Sequence, residues 1–408
     1  MKHMQRTITT VAGVLAVSAT CALAQDWPQW RGPNRDGKAS GFTAPKEWPK
    51  ELTQKWKVTA GIGDSSPAVV GNKLYVFVRQ GTDEVIRCLD ATNGKELWSE
   101  KYDATQVSGP SASVHSGPRS SPTVAEGKVV TLGVGGVVSC VDAATGKLAW
   151  RKDDFSGAWP RFYTACSPIV TDGLAIAALG SEANGGIVAY DLASGDQKWK
   201  WTGDGAAYAS PVVLTVGGTK MVVSLTAKKI VGISVADGKL LWEAPFPVQG
   251  MNYNAATPIV DGQTVIYTGA GRGTKAVKIE KTADGFAAKE LWSNPDNGVQ
   301  FDSPVLKGGQ TYGLSKSGVL FCLDAQSGKT LWTTELGGRG FGSIVDAGSA
   351  LLALTPKGDL TVFEPSDKEF KKLAAYKVAE TETYAYPVLV GKGVFVKDKD
   401  AVSFWAID

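Results

Sequence analysis

The chain has 408 residues, with 43 Lys and Arg set against 40 Asp and Glu, for a formal charge of +3. That balance gives no basic footprint for nucleic acid and no polybasic patch for a membrane surface. There are two histidines, His3 and His115, so multi-histidine metal centres and bis-histidine haem ligation are excluded.

In chain order, the first 24 residues read as a secretory leader. Lys2 and Arg6 supply the positive start, Val11 to Ala19 the apolar stretch, and Ala22-Leu23-Ala24 the small-x-small cleavage site, so the mature chain starts at Gln25. The apolar run is too short to span a bilayer. Ser18-Ala19-Thr20 is a poor approach to a lipidated Cys21. The expectation is a periplasmic or secreted protein, soluble and monomeric after cleavage. Its one remaining histidine, His115, reads as an ordinary loop residue.

Residues 25–50 form an N-terminal extension. In it, Gly32-Pro33-Asn34-Arg35-Asp36-Gly37 reads as successive turns; no strand-then-helix context makes it a phosphate loop. Trp27, Trp30 and Arg31 either gate a channel, offer a partner surface, or anchor the extension so that the strand after it arrives in register; anchoring is the preferred reading.

From residue 51 onward the chain repeats. One unit runs Ser66-Pro67-Ala68-Val69, Leu74-Tyr75-Val76, Cys88-Leu89-Asp90-Ala91-Thr92-Asn93-Gly94-Lys95, Leu97-Trp98. Further units start at Ser121-Pro122, Ser167-Pro168, Ser210-Pro211, Thr257-Pro258 and Ser303-Pro304. A worn one starts at Ser343 and a last one at Tyr386-Pro387. Starts lie about 40 to 55 residues apart, which suits four short antiparallel strands per unit. Proline cannot donate to a ladder, so it fits the start of an innermost edge strand. Aspartate and glycine close the outer hairpin, and tryptophan fills the widening gap between units at the rim. The fold class is therefore all-β: an eight-bladed β-propeller over residues 51–408. The chain ends at Phe404-Trp405-Ala406-Ile407-Asp408, which aligns with Phe321 to Asp324, so the eighth unit stops at its turn aspartate. Its missing fourth strand is Leu52 to Lys57, ahead of the first unit, and pairing the two closes the ring.

Cys88, Cys140 and Cys322 share one slot in three repeats. Equivalent slots in different blades lie at least a sheet-packing distance of about 10 Å apart, too far for a disulfide. These three and Cys166 are expected to be free thiols.

The Ala-x-Thr-Gly-Lys-x-Leu-Trp hairpins resemble the tryptophan-docking repeat of the pyrroloquinoline-quinone (PQQ) propeller superfamily over nearly all of residues 51–408. Trp27 to Gly37 also resembles the opening of exported PQQ-like repeat proteins of unassigned activity. One branch of the superfamily, the quinoprotein alcohol and glucose dehydrogenases, implies PQQ and Ca²⁺ at the propeller mouth. Another, the outer-membrane assembly protein BamB, implies a protein-binding scaffold without a cofactor. This chain has no adjacent cysteine pair, no match to the dehydrogenases' Glu/Asn/Asp calcium set and no Cys-x-x-Cys-His for haem. No catalytic residue is carried over. The preferred reading is a BamB-like, non-enzymatic propeller binding a protein partner or small envelope ligand; the alternative is a PQQ- and Ca²⁺-dependent alcohol or sugar dehydrogenase.

Any site would lie where the innermost strands start, at one mouth of the channel. Two residues before each Ser stand Asp64, Arg119, Ala165, Tyr208, Ala255, Phe301, Phe341 and Tyr384, and two further back come Tyr163, Tyr253 and Arg339. The ligand-binding expectation falls on Asp64, Arg119, Tyr163, Tyr208, Tyr253, Arg339 and Tyr384, a mixture of rings and charges suited to a flat or polar ligand.

Overall fold

The computed structural model describes residues 26–109, 113–250, 252–337 and 341–408. The leader, Cys21 and Arg339 lie outside the described residues. Among the described residues, thirty-two strands form eight four-stranded antiparallel sheets. The first blade runs from the channel outward as Ala68–Val70, Lys73–Gln80, Asp83–Asp90 and Glu96–Asp103. Six further sheets in chain order start at Thr123, Ile169, Val212, Ile259, Val305 and Ser343. This is the eight-bladed propeller that the repeat predicts.

The eighth blade takes Val388–Val390, Gly393–Lys397 and Ala401–Ala406 from the C-terminus and Thr53–Thr59 from the N-terminus as its outermost strand. Trp56 pairs with Phe404 and tilts against Phe395 with ring centroids 5.8 Å apart. The two ends of the chain thus remove each other's open edge. The register corrects one detail. Phe404 pairs with Phe395 as Cys322 pairs with Tyr312, so Ala406 stands at the turn-aspartate position and Asp408 lies two residues beyond it.

At the rim, each element of the repeat has a visible cause. Asp90, Asp142, Asp191 and Asp324 accept backbone N–H groups within their own turns, for example from Thr92 at 2.8 Å and Ser327 at 2.7 Å. The hydroxyls of Thr92, Thr145 and Ser327 on Asp90, Asp142 and Asp324, the Ser194 N–H on Asp191, and the other backbone N–H groups hold the four carboxyls below the usual aspartate range. The hairpin glycine is required twice over. Gly195 has φ +77, and a Cβ there would sit 2.6 Å from the Trp150 ring of the preceding blade. Most tryptophans of the pattern lie on the next blade's hairpin and donate the indole N–H to it: Trp150 to Leu192 O at 2.9 Å, Trp199 to Val235 O at 2.8 Å, Trp292 to Ala325 O at 3.0 Å. Trp242 instead donates to Met221 Sδ at 3.0 Å, and the buried Trp98 Nε1 meets no acceptor. Cys88, Cys140 and Cys322 pair directly with Trp98, Trp150 and Trp332. They and Cys166 are buried free thiols, as the spacing predicts.

Around the channel runs a belt of hydrogen bonds that explains the serine of Ser-Pro. The hydroxyl of Ser121 accepts the N–H of Ser66, that of Ser167 the N–H of Ser121, and that of Ser210 the N–H of Ser167, at 2.9–3.0 Å. Ser66 Oγ accepts the N–H of Tyr386 at 2.8 Å, linking the last blade to the first. The first four blades thereby each satisfy a backbone donor of the preceding blade.

The extension does more than anchor a strand. Trp27 exchanges two backbone hydrogen bonds with Val69 in the first blade, and Pro28 O accepts from Val124 N in the second. The Arg35 guanidinium donates to Ser167 O and Pro168 O in the third blade and to Pro211 O in the fourth. Trp30 Nε1 donates to Thr257 Oγ1 in the fifth at 2.8 Å, and Arg31 to Pro304 O in the sixth at 2.6 Å. Gly37 and Ala39 pair with Asp346 in the seventh, and Trp30 meets Tyr386 of the eighth edge-on at 4.7 Å. A segment this short that touches all eight blades must lie on the ring axis. Trp27, Arg31 and Arg35 are 0–1 % exposed. Arg31 and Arg35 both hold φ of 59°, as the expected succession of turns requires. Burial lowers both guanidinium pKa values, Arg35 to about 9, while around Arg31 the nearby Tyr386, Asp36 and Asp302 pull the other way.

Candidate functional site

With the axis filled from below, the channel mouth is a blind cavity of about 410 Å³. Trp30 lies at its base, and Phe162, Tyr208, Tyr253, Phe301, Phe341 and Tyr384 form a collar from six consecutive blades. The rings touch in sequence. Phe162 meets Tyr253 at 5.1 Å, Tyr253 stacks on Phe301 at 6.2 Å, Phe301 meets Phe341 at 4.6 Å, and Phe341 meets Tyr384 at 5.9 Å. His115, edge-on to Tyr384 at 4.8 Å, extends the collar into the second blade.

Of the seven residues expected here, Asp64, Arg119, Tyr208, Tyr253 and Tyr384 line the cavity. Tyr163 does not. Its φ of +67° breaks strand alternation, so Phe162 takes the inward position. Tyr163 is buried instead against Trp159, with ring planes 15° apart, and its hydroxyl accepts the Ser108 N–H at 2.8 Å. Arg339 lies outside the described residues. Phe301 and Phe341 occupy the same slot as Tyr208 and Tyr384, so the count that found the tyrosines also marks them. His115, expected as an ordinary loop residue, lies in the cavity wall with Nδ1 2.7 Å from Asp64 Oδ2.

Arg119 is committed to the main chain. It donates to Phe162 O and, at 2.7 Å, to His115 O, and burial lowers its pKa against the opposing pull of Asp64. Tyr208 receives the Phe162 N–H at 3.1 Å, and burial pushes its phenol up. Burial likewise raises Tyr384, to about 12. Asp302 carries a different message. It stands directly before Ser303, where other repeats carry a small residue (Ser65, Ser120, Ala209, Ala256). That substitution was its sequence signal. Asp302 Oδ2 accepts the Gly342 N–H at 2.5 Å. Burial raises its carboxyl to about 7, with that bond and Arg31 opposing. Among the described residues, no group of three or more His, Cys, Asp or Glu is placed to hold a metal ion.

The sequence of this propeller matches the family model described as outer membrane protein assembly factor BamB over residues 46–200, 82–334 and 289–408. The chain belongs to that family. BamB of Yersinia pestis is 25% identical over 374 residues, covering 86% of this chain and 82% of that protein. BamB of Burkholderia pseudomallei (strain K96243) is 24% identical over 371 residues, 86% of each. A quinohemoprotein alcohol dehydrogenase of Comamonas testosteroni is 29% identical over 164 residues, 37% of this chain and 22% of the enzyme. The crystal structure of BamB from Moraxella catarrhalis superposes with a TM-score of 0.65 at 15% identity, covering 87% of this chain and 97% of that one. The Comamonas testosteroni dehydrogenase structure gives 0.70 at 15%, covering 95% and 81%. The propeller is thus common to both branches, while relatedness along most of the chain lies with the BamB family. Among the described residues no helix is long and apolar enough to cross a membrane.

Proposed function

We propose that this chain is a non-catalytic scaffold of outer-membrane protein assembly: it is exported behind the leader at residues 1–24, works in the periplasm, and binds protein partners. The observation that carries the reading is family membership along the whole propeller. Removing the chain from its cell should lower the β-barrel protein content of the outer membrane, and a plasmid copy should restore it. An unchanged outer-membrane profile would overturn the reading.

The second reading, a PQQ- and Ca²⁺-dependent dehydrogenase, draws on the partial match to quinohemoprotein alcohol dehydrogenase. The mouth gives it little support. An anionic quinone needs free cations, whereas the described wall carries Asp64 and Asp302 and an arginine already spent on two carbonyls. No calcium-binding constellation accompanies them among the described residues. Dye reduction with ethanol or glucose after adding PQQ and Ca²⁺ is the direct check, and no turnover is expected.

A further inference from the structure

We infer that the blind mouth is a binding site for a small organic cation, an ammonium group held against the Asp302 carboxylate between the faces of Trp30, Tyr253, Phe301 and Phe341. The inference is independent of the assembly reading and rests on how the charges of the cavity are matched. Asp64 faces His115 Nδ1 at 2.7 Å, and Arg119 is tied to two carbonyls. Asp302 has no such match. It takes part in no ion pair among the described residues, and its one hydrogen bond there comes from Gly342 N–H. A carboxylate has about four acceptor positions, so most of its capacity stays open toward the cavity it lines. Arg31 is the cation that faces it from the axial segment, yet Arg31 donates to Pro304 O and Asp36 O and makes no ion pair with it.

Most of the remaining wall is aromatic, with Ala165, Ser210 and Ala255 between the rings, and the negative face of an aromatic ring attracts a cation most strongly where water is excluded. An anion would meet two carboxylates. A neutral apolar ligand would strip Asp302 of water and return nothing for it. A cation alone satisfies both the rings and the acid. The volume of about 410 Å³ suits a small molecule or one long side chain. The ammonium therefore comes either free or on a lysine of a partner, and the probes below separate the two.

The experiment is calorimetric titration of the full mature chain with choline, with its uncharged carbon isostere 3,3-dimethylbutan-1-ol, and with Nα-acetyl-lysine amide. At least one cationic probe should bind about tenfold or more tightly than the isostere. Tighter choline binding marks a free quaternary ammonium, and tighter lysine binding marks a partner's side chain. Asp302→Asn should weaken the cation about tenfold or more. Phe301→Ala should weaken it too, and circular dichroism should confirm that both variants are folded. Affinity should fall on acidification as Asp302 takes up its proton, and this dependence should be absent in Asp302→Asn. The other charged and titratable groups around the cavity (Arg31 and Tyr386 beside Asp302; Asp64, His115, Arg119, Tyr208, Tyr253 and Tyr384 across it) are common to both proteins, so the difference belongs to Asp302. Equal affinity for choline and its isostere, undiminished binding by folded Asp302→Asn, or no binding of either cation overturns the proposal. None of these outcomes touches the outer-membrane profile that tests the assembly reading.

Discussion

At the rim of this propeller, blade after blade solves the same problem with the same residues. At the hub each blade contributes something different. Trp56, Trp150, Trp199, Trp292 and Trp332 all donate to the carbonyl of the next blade's hairpin. The cavity, in contrast, receives Asp64, Arg119, Phe162, Tyr208, Tyr253, Phe301, Phe341 and Tyr384, one from each blade. The rim contacts are local and repeated, so the loss of one leaves the others intact. The hub is shared: the axial segment joins all eight blades at once. The contrast teaches that regularity carries the fold, and departures from it mark the places where a ligand could be recognised.

The sharpest way to break this comparison is truncation. A mature chain that starts at Val58 lacks the axial segment and most of the closing strand, and should aggregate or fail to fold. One that starts at Glu47 keeps the strand Thr53–Thr59 but loses Trp27, Trp30, Arg31 and Arg35. If that segment merely anchored the strand, the second truncation would be mild. Because the buried segment bonds to seven blades and packs a ring against the eighth, its loss should instead lower stability by a large part of the roughly 5–15 kcal/mol typical of a domain. Calorimetric melting of the two truncations beside the full mature chain decides. A Glu47 start that melts with the full chain would return the segment to a mere anchor.

Single substitutions compare rim and hub more finely. Trp199 is 7 % exposed, so Trp199→Ala should cost about 3–5 kcal/mol. Trp199→Phe keeps most of the packing, loses the bond to Val235 O, and should cost about 1 kcal/mol. At the hub, Arg35→Ala removes charge-assisted bonds to carbonyls of two blades and should cost about 2–3 kcal/mol. Arg35→Lys should rescue little, because a point ammonium cannot reproduce a planar fork that reaches both blades. Denaturant midpoints at neutral pH are the measurement. Full rescue by lysine would mean that charge alone, and not the fork, holds the third and fourth blades to the axis.

What was legible in the sequence follows the same division. Ser-Pro, Asp-x-x-x-Gly and Trp recur, so their meaning could be checked against several units, and blade number, strand order and closure all follow from them. Trp27 to Gly37 occurs once. Its turns could be read from Gly32, Pro33 and Gly37, but nothing local says that Arg31 and Arg35 will reach carbonyls more than 130 residues away. The same limit explains Tyr163. Strand alternation put it in the collar, and a left-handed backbone at that one residue handed the place to Phe162. The register at the chain's end slipped for a related reason: without a turn aspartate in the hairpin slot, only pairing with Phe395 fixes Phe404.

The smallest expected effect isolates the residue that departs most from its repeat. Asp302 stands where other blades carry Ser, Ala, Gly or Cys, and burial raises its carboxyl from 3.8 to about 7. Between those two values the folded protein binds a proton that the unfolded chain has released, so stability falls as pH rises through this window. The turn aspartates Asp90, Asp142, Asp191 and Asp324 act in the opposite sense. Their carboxyls are held below the ordinary value, so the stability they contribute is complete above it and is lost only in stronger acid. A comparison between about pH 5 and pH 8 therefore leaves them constant. Glu84, also raised by burial, is common to parent and variant and cancels in their difference. Asp302→Asn keeps an acceptor for the Gly342 N–H and removes the titration. The variant should gain on the parent as pH rises from 3.8 toward about 7 and hold that gain above it, by an amount set by how far water in the cavity screens the charge. Melting temperatures of the two proteins across this range are the measurement. Parallel curves would show that water reaches Asp302 freely and that the hub carries no unmatched charge.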